Sequence, residues 1–463
     1  GGATIRRPAP PPADGSVQWP APPPAALLRH AKRRNYARYM LTMLEGRTRA
    51  LNTPLEVFLA SADACNLSCR FCAITIKEPR PVGKTAIMDG AIMRRVAPWL
   101  PGAASLSFTG FGEPFMNRNL LGSVAAAVGH GARVEFFTNG KMLSAERAVQ
   151  VIESGLPNLF VSISSADPET YERLYVDGKF EKLRANLLFL KEEKARRSAA
   201  EPAVIFNTIV MRSTLAGLPD LVRFAADMGV AKVDLKPLVT YDGIPDLHGE
   251  RIHYEPERDD PILAECERVG RERGVEIGSV GYLASGAPKG AAPAADPTPD
   301  TGKEWRNASE APRLEKPCPL VFRTMYVGVG GSVKPCCFAA DDPELSLGDL
   351  KEQTIHEVWN GEKYMELRRA HLEGRVPPSC AHCVKFKLYP KSDEADAWLA
   401  AEEVAVYNGL DAVEAADGVD RAAAELREGI RGWIAGAGAR GDLNAFLPAY
   451  RGVAAALKAV ARV

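Results

Sequence analysis

Three cysteines lie close together early in the chain, at a C-x3-C-x2-C spacing: Cys65, Cys69 and Cys72. Thiolates bind iron–sulfur clusters at spacings of this kind, and three of them leave one iron of a four-iron cluster without a protein ligand. Zinc is the alternative, but structural zinc normally takes four protein ligands, and no histidine lies near these thiols. The spacing therefore favours an iron–sulfur cluster with one open iron.

The residues before these cysteines indicate how they are positioned. The apolar run Leu55–Ala60 ends just before Cys65 and predicts a strand. A loop that leaves a strand can turn three thiols toward one cluster, whereas an extended strand would send alternate side chains to opposite faces. The sequence therefore places the cysteines in a loop at the end of a strand.

A second group of cysteines lies far along the chain, at Cys318, Cys336, Cys337, Cys380 and Cys383. Two short strand patterns, Thr324–Val329 and Ser332–Lys334, meet at a pair of glycines and predict a β-hairpin. Such a hairpin would bring Cys318 near Cys336.

The C-x2-C pair Cys380 and Cys383 adds two thiols to this hairpin, so that four protein ligands are available. Four ligands suit either a structural zinc ion or an iron–sulfur cluster. His382 lies between the two cysteines, and zinc also takes histidine as a ligand. This second group alone therefore leaves both metals open.

The composition is that of a soluble globular protein: 463 residues, 46% hydrophobic and 25% charged. Lys plus Arg and Asp plus Glu both number 58, so the charge does not favour nucleic acid, and the longest apolar runs are too short to span a membrane. Nine clustered cysteines suit metal binding in a reducing cytoplasm better than disulfides. Residues 1–24 are rich in Pro and Ala without a signal-peptide pattern and are expected to be disordered.

Residues 53–245 alternate between strand and helix patterns. The predicted strands are Leu55–Ala60, Ser105–Thr109, Arg133–Thr138, Leu159–Ser164, Val204–Val210 and Lys232–Leu238. The predicted helices between them are Asp89–Trp99, Asn119–Gly129, Ser144–Gly155, Tyr171–Lys194 and Gly217–Met228. Six strand–helix repeats predict an α/β fold with a parallel sheet, but the pattern does not separate an open doubly wound sheet from a partial barrel.

The first cysteine group, with the aromatic Phe71 before Cys72, resembles the signature of the radical S-adenosylmethionine (SAM) enzymes. In that family SAM chelates the open iron, and one electron from the cluster cleaves SAM to methionine and a 5′-deoxyadenosyl radical. The resemblance implies a partial (β/α)6 TIM-type barrel with its site at the carboxyl ends of the strands. It also implies two cofactors here, a [4Fe-4S] cluster and SAM.

The same resemblance implies a set of SAM-binding residues. The segment from Gly110 to Pro114 is similar to the family's GGEP motif, with Phe111 in place of the second glycine, and Glu113 is expected to bind the SAM amino group. Taken alone, this segment and Thr138-Asn139-Gly140 are equally well explained as turns. The full expected set is Phe71, Gly110, Gly112, Glu113, Pro114, Asn139, Ser162, Ser164 and Asn207. Ser164-Ser165 stands where many relatives have Asp-Gly.

The second cysteine group resembles the SPASM or twitch extension of radical SAM enzymes, because Cys318, Gly331 and Cys336 follow the pattern C-x12-G-x4-C. No cysteine follows Cys383 in this sequence, which implies one auxiliary [4Fe-4S] cluster rather than the two of a full SPASM domain. Its implied ligands are Cys318, Cys336, Cys380 and Cys383, with Cys336 favoured over Cys337 by the spacing.

These patterns divide the chain into six parts. They are residues 1–24, disordered; 25–52, an N-terminal helix; 53–245, the partial barrel; 246–317, a connecting region with a mobile Ala/Pro/Gly-rich loop; 318–390, a small α+β twitch/SPASM domain; and 391–463, a helical tail.

The resemblance implies a cytoplasmic radical SAM oxidoreductase of natural-product biosynthesis, reduced by a flavodoxin or ferredoxin. The favoured reaction is dehydrogenation of a secondary alcohol in a sugar or aminocyclitol, with the auxiliary cluster as electron acceptor. The alternatives are crosslinking or epimerisation of a ribosomal peptide and, in another class, a non-catalytic electron carrier. The candidate catalytic residues, near the end of the sixth predicted strand, are Asp234, Lys236, Tyr241 and His248.

Overall fold

The structure is a computed structural model that describes residues 19, 21–72, 86–110, 112–238, 249–252, 255–278, 318–340, 342–375 and 377–381. Of the residues 1–24 that the sequence predicts to be disordered, 1–18 and 20 lie outside these ranges, and Trp19 packs against the hydrophobic core. The predicted loop at 285–302 and the predicted helices after residue 390 also lie outside them. Within the described ranges, the helices are too short or too polar to cross a bilayer.

A single sheet of ten strands forms the centre of the described structure. The strands are β1 Glu56–Leu59, β2 Ser105–Phe108, β3 Arg133–Thr138, β4 Asn158–Ser162, β5 Ala203–Val210, β6 Lys232–Pro237, β7 Glu276–Gly278, β8 Thr324–Val327, β9 Ser332–Lys334 and β10 Gly348–Asp349. Their order across the sheet is β10-β9-β8-β1-β2-β3-β4-β5-β6-β7. Strands β8 and β1 through β7 are parallel, and β9 and β10 pair antiparallel at one edge.

Helices connect the parallel strands, as the alternating pattern predicts. They are α1 Ala25–Leu44, α2 Gly90–Val96, α3 Leu120–Gly129, α4 Ala145–Glu153, α5 Pro168–Leu174, α6 Phe180–Arg196, α7 Arg212–Leu215, α8 Leu218–Asp227, α9 Pro256–Arg273, α10 Leu320–Arg323, α11 Ile355–Trp359, α12 Glu362–Leu372 and α13 Pro378–Ala381. The α/β class and the partial-barrel arrangement predicted from the sequence are confirmed.

The two faces of the sheet differ in burial. Alternate strand residues point to opposite faces, and one set packs under the helices: Phe206 of β5 lies 6.0 Å from Phe224 of α8, measured between ring centroids. The other set is partly exposed and includes Phe137 and Phe160, whose ring centroids are 4.7 Å apart. This second face is the interior of the partial barrel.

The sequence prediction of six parallel strands is incomplete. Strand β7 pairs with β6 and continues the parallel sheet. It has only three residues, so it offers too little alternation for a pattern to detect.

The prediction of one helix over Tyr171–Lys194 is wrong, because two helices, α5 and α6, occupy this stretch. Asp177 between them has a φ of 70°, in the left-handed region that interrupts a helix. A Cβ on Gly178 would lie 2.7 Å from the carbonyl oxygen of Tyr175, so this turn accepts only glycine.

The N-terminal helix predicted for residues 25–52 ends earlier than predicted. Helix α1 stops at Leu44, and Gly46 follows with a φ of 58°, the left-handed conformation that commonly ends a helix. The buried face of α1, including Tyr36, Tyr39 and Leu41, packs into the core.

The predicted hairpin at residues 324–334 is present as β8 and β9, with β8 ending at Val327. Strand β8 pairs in parallel with β1, so the hairpin extends the barrel sheet instead of forming a separate sheet. Arg368 of α12 is buried beneath this extension and donates to the carbonyl oxygens of Val321 at 3.0 Å, Trp359 at 2.8 Å and Thr48 at 3.2 Å. The C-terminal cysteine region and the barrel therefore share one core.

Candidate functional site

The first cysteine loop leaves the carboxyl end of β1 and is held by the chain segment that follows α5. The amide of Ser68 donates to the carbonyl oxygen of Val176 at 3.1 Å, and the amide of Arg70 donates to that of Leu174 at 3.0 Å. The amide of Cys72 closes a tight turn onto the carbonyl oxygen of Cys69 at 3.2 Å. The loop is thus fixed by backbone hydrogen bonds on both sides.

The three thiols of this loop lie close enough to affect one another electrostatically. Burial raises the pKa of Cys69 well above its usual range, and the neighbouring Cys72 and Cys65 raise it further. Burial is also the main reason that the pKa of Cys65 is raised, and Glu113 and Cys72 add to the rise. Thiolates crowded in this way are stabilised by a cation.

The thiol arrangement fits a multi-iron cluster better than a single ion. Among the described residues, no three His, Cys, Asp or Glu side chains are grouped so that they could hold one metal ion. An iron–sulfur cube takes each thiolate on a different iron, so its ligands are farther apart than those of one ion. The spacing of Cys65, Cys69 and Cys72 is compatible with such a cluster.

Gly112 brings the chain after β2 into close contact with the cysteine loop. The amide of Glu113 donates to the carbonyl oxygen of Ala64 at 2.7 Å. A Cβ on Gly112 would lie 2.4 Å from the carbonyl oxygens of both Ala62 and Ala64, which is far inside contact distance. Gly110 packs nearby, since a Cβ there would lie 3.1 Å from that of Ala60. A glycine is therefore required at position 112, because the two backbones approach each other too closely for a side chain.

Gly112→Ala is expected to prevent cluster assembly in the first cysteine loop, because the new methyl group pushes on two backbone carbonyls that cannot rotate away. Iron content after anaerobic reconstitution should fall from about eight to about four per chain. The control is Gly122→Ala on α3, where no atom lies within 4 Å of the new Cβ and full iron loading is expected. Full loading of Gly112→Ala would show that the loop does not depend on this contact.

Glu113 is buried and links the ends of β2 and β3. One carboxylate oxygen accepts from the Thr138 hydroxyl at 2.7 Å and from the Phe115 amide at 3.2 Å, and the other accepts from the Asn139 amide at 2.8 Å. Burial raises the pKa of Glu113, while the hydrogen bonds from Asn139, Thr138 and Phe115 partly offset that rise. Such a carboxylate is well placed to gain from a bound cation.

Asn139 connects Glu113 to the cysteine loop through hydrogen bonds of its backbone and its side chain. Its side-chain Nδ2 donates to Asn66 Oδ1 at 2.8 Å and lies 3.9 Å from Cys65 Sγ. Lys141 Nζ reinforces the same loop by donating to the carbonyl oxygens of Asn66 at 3.0 Å and Asp177 at 2.8 Å. Glu113 and Asn139, both predicted as SAM-binding residues, are therefore brought together beside Cys65.

Sequence reasoning missed three residues of this network: Thr138, Asn66 and Lys141. The available signal was the position of Thr138-Asn139-Gly140 at the carboxyl end of β3, where polar residues of a barrel site collect. Asn66 and Lys141 carry no motif of their own.

Two other predicted residues meet at Tyr175. The ring of Phe71 packs edge-on against Tyr175, with 5.1 Å between centroids. The Ser164 hydroxyl is buried and lies 3.0 Å from the Tyr175 hydroxyl. The Ser164 hydroxyl therefore already has a hydrogen-bond partner within the protein. The side chain of Ser162, on the interior face of β4, is instead partly exposed.

A polar row crosses the carboxyl half of the sheet on the interior face. Ser162 of β4 pairs in register with Asn207 of β5, which pairs with Asp234 of β6. Asp234 also forms an ion pair with Lys236, 2.6 Å from oxygen to nitrogen, and the lysine side chain remains 45% exposed. The sheet thus aligns two predicted SAM residues with two predicted catalytic residues. Tyr241 and His248, and also Phe111, lie outside the described residues.

Thr324 connects two members of the second cysteine group. Its hydroxyl lies 2.9 Å from the carbonyl oxygen of Leu320, shortly after Cys318, and 2.7 Å from that of Pro335, directly before Cys336. Cys318 and Cys336 thus begin and end a segment that folds back on itself, as the hairpin prediction requires.

The segment that carries a third member, Cys380, is linked to the hairpin through Asp342. Lys334 Nζ donates to the backbone carbonyl of Asp342, and the hydroxyl of Ser379 donates to its carboxylate. The segments that lead to Cys336 and Cys380 therefore both form a hydrogen bond with Asp342. Cys383 and His382 lie outside the described residues.

Tyr364 of α12 lies against the segment that leads to Cys336, since its buried hydroxyl donates to the carbonyl oxygen of Lys334 at 3.4 Å. Burial raises the pKa of Tyr364, Arg368 partly lowers it, and the nearby Cys336 adds to the rise. Cys337 instead begins the short 3-10 helix Cys337–Ala339. The two adjacent thiols therefore occupy different surroundings.

Cys336→Ala is expected to abolish the second cluster, whereas Cys337→Ala should only perturb it, because Cys336 is extended and Cys337 begins a 3-10 helix, so the two side chains leave the backbone in different directions. Iron content of the two reconstituted variants, at about four and about eight per chain, distinguishes them. The reverse result would assign the ligand to Cys337.

Two family models match the chain. The model described as the radical SAM superfamily matches residues 60–225, and the SPASM model, described as an iron-sulfur cluster-binding domain, matches residues 318–384. The first match spans the cysteine loop and the Glu113–Asn139 contact, and the second begins at Cys318.

Curated proteins align with about 70% of this chain. An AdoMet-dependent heme synthase from Oleidesulfovibrio alaskensis is 24% identical over 340 residues, covering 69% of this chain and 77% of that protein. A PqqA peptide cyclase from Gluconobacter oxydans is 24% identical over 343 residues, covering 71% of this chain and 82% of that protein.

Among solved structures, Streptococcus suis SuiB bound to S-adenosylmethionine superposes with a TM-score of 0.50. The two chains are 15% identical, and the match covers 68% of each. At this identity the similarity establishes a common fold.

Proposed function

This chain is a radical SAM enzyme with a C-terminal SPASM domain, and from this premise we propose that it oxidises a substrate by two electrons, beginning with removal of a hydrogen atom from carbon. The radical SAM domain implies a [4Fe-4S] cluster and SAM, and the SPASM domain implies auxiliary iron–sulfur binding. The observation that carries the proposal is the contact of the three-cysteine loop with Glu113 and Asn139.

Each residue of this contact has a proposed task. Cys65, Cys69 and Cys72 hold the cluster, and the open iron faces SAM. Glu113 accepts a hydrogen bond from the SAM ammonium group through Oε2, which accepts the Asn139 amide and has a second lone pair, whereas Oε1 already accepts from Thr138 and Phe115. Asn139 fixes the loop beside Cys65 through Asn66.

The polar row continues this site across the sheet. Ser162 and Asn207 are proposed to bind the polar groups of SAM, because they lie on the interior face between β4 and β5. Gly110, Gly112 and Pro114 shape the adjoining turn, and Phe71 with Ser164 packs behind it on Tyr175. SAM binding is thus assigned to the carboxyl ends of β2 through β5.

The Asp234–Lys236 pair is proposed to bind the substrate. It lies next to Asn207 in the sheet, and Lys236 is exposed enough to reach a ligand. A carboxylate beside an ammonium group can accept a hydroxyl hydrogen bond and then the hydroxyl proton. When bound, the two clusters and SAM supply the hydrogen-abstracting radical and a one-electron acceptor.

Dehydrogenation of a secondary alcohol in a sugar or aminocyclitol is the first candidate reaction. The alcohol loses one hydrogen atom from carbon, one proton from oxygen and one electron, and so becomes a ketone. In this reaction Asp234 of the proposed pair accepts the proton that leaves the hydroxyl oxygen. A flavodoxin or ferredoxin is the proposed electron donor for SAM cleavage.

Oxidative modification of a peptide is the second candidate. It is favoured by the relatives named PqqA peptide cyclase, one of which matches 71% of this chain at 24% identity. A peptide crosslink removes the same number of electrons and hydrogens as the alcohol oxidation. The two candidates therefore differ in substrate and share the oxidative class.

The test supplies the reduced, reconstituted protein with SAM and either carbon-deuterated aminocyclitols or the peptides encoded beside its gene. We expect deuterium in 5′-deoxyadenosine from the true substrate and a product lighter by two hydrogens. Asp234→Asn should lower product formation while SAM cleavage continues. A product of unchanged mass that carries solvent hydrogen would mean epimerisation and would contradict the oxidative class.

A further inference from the structure

One face of α12 presents three buried polar side chains to the second cysteine group. Tyr364, Arg368 and His371 follow one another at spacings of four and three residues, which places them on the same side of a helix. All three are at most 1% exposed. Helix α12 packs through this region against α10, which follows Cys318.

The imidazole of His371 is bonded on one side only. Its Nδ1 lies 3.5 Å from the amide of Cys318, which donates to it. A ring nitrogen that accepts a hydrogen bond carries no proton, so the proton of the neutral ring is on Nε2. Among the residues that the structure describes, Nε2 has no hydrogen-bond partner, although it is fully buried.

A buried N–H without an acceptor is unfavourable, and native structures rarely keep one without a reason. The surroundings of this ring indicate an acceptor. Cys318 contacts the ring through its amide, and at the other end of the same helix face the Tyr364 hydroxyl donates to the carbonyl oxygen of Lys334, two residues before Cys336. The unpartnered N–H therefore belongs to a ring that contacts Cys318, one of the cysteines assigned to the auxiliary cluster.

We propose that His371 donates its Nε2–H to a sulfur atom of the auxiliary cluster, and that this hydrogen bond raises the cluster's reduction potential. The inference rests on the second cluster of the proposed function. Hydrogen bonds to the sulfurs stabilise the more negative, reduced cluster, and they are one of the means by which a protein sets its potential. His371 is thus a positioning residue that makes the auxiliary cluster a better electron acceptor.

The test uses the full chain with Cys65, Cys69 and Cys72 replaced by Ala, so that only the auxiliary cluster contributes to the EPR spectrum. A redox titration of this parent is compared with the same chain carrying His371→Phe, which keeps a ring of similar size, or His371→Gln, whose amide N–H can reach toward the Nε2 position. His356→Phe, at an exposed histidine of α11, is the control.

We expect His371→Phe to lower the ratio of reduced to oxidised cluster about ten-fold at the parent's midpoint potential, which is about 59 mV for a one-electron couple. His371→Gln should retain most of the parent potential, and His356→Phe should match the parent. An unchanged potential in His371→Phe with full iron loading would overturn the proposal.

A second readout does not depend on the variant folding. The parent prepared with 15N-labelled histidine should show one histidine nitrogen coupled to the reduced cluster in electron–nuclear double resonance, together with an exchangeable proton. The lack of any coupled histidine nitrogen would overturn the hydrogen bond. A parent that holds no four-iron cluster would instead overturn the proposed function itself.

Discussion

The chain with Cys65, Cys69 and Cys72 all replaced by Ala is expected to form no 5′-deoxyadenosine from SAM, while it keeps about four of about eight irons. The thiols are the only proposed protein ligands of the cluster that binds SAM, and all three belong to one short loop at the end of β1. In the second group, Cys318 precedes α10, Cys336 follows β9 and Cys380 lies on α13, so this cluster should assemble independently.

Iron analysis and chromatographic detection of 5′-deoxyadenosine measure the two parts of this prediction. Cys266→Ala is the matched control, because Cys266 is a buried cysteine of α9 that belongs to neither group. It should keep all iron and full SAM cleavage. Loss of all iron from the triple variant would show that the two groups do not form separate clusters.

Glu113→Ala is expected to weaken SAM binding about 100-fold, because removal of one partner from a buried charge pair typically costs 2–5 kcal/mol. The substitution also leaves the Thr138 hydroxyl and the Asn139 amide without their acceptor, which loosens the contact to Cys65. Equilibrium binding of SAM to the reconstituted protein measures the change. Glu146→Ala, at an exposed glutamate of α4, is the control and should bind as the wild type does.

Glu113 also predicts how SAM affinity depends on pH. Burial raises the pKa of this carboxyl group, so its negative charge is present above the raised pKa and is lost as the pH falls through it. Wild-type affinity should therefore weaken toward acid pH, starting at a higher pH than an ordinary glutamate would give. Glu113→Gln should bind weakly at every pH and lack this dependence. A wild-type affinity that stays constant while Glu113→Ala binds normally would remove Glu113 from the SAM site.

The sequence predicts the parallel sheet well because each of its first six strands has a buried, apolar core flanked by turn residues. The limits of β3 are correct, and β5 differs from the prediction only by Ala203 at its start. The short β7 and the break at Asp177 were missed, since neither changes the apolar periodicity enough. Strand β7 depends on its pairing with β6, and the break between α5 and α6 depends on the left-handed conformation of Asp177.

The sequence also predicts part of the geometry of the candidate site. Cysteine spacing and the Gly112-Glu113 turn can be recognised locally, and the structure brings both to Asn139. The roles of Thr138, Asn66 and His371 depend on which strand or helix lies opposite, so a single sequence contains no signal for them. The same holds for the register that aligns Ser162, Asn207 and Asp234, which only strand pairing reveals.

The most direct test of the account is reductive cleavage of SAM by the wild-type chain. Anaerobically reconstituted protein is incubated with SAM and dithionite, and methionine and 5′-deoxyadenosine are quantified over time. The account predicts slow formation of both in equal amounts even without substrate, and none without reductant. If the fully iron-loaded, reduced protein forms no 5′-deoxyadenosine with or without candidate substrates, the assignment of SAM chemistry to the Cys65–Cys72 loop is contradicted.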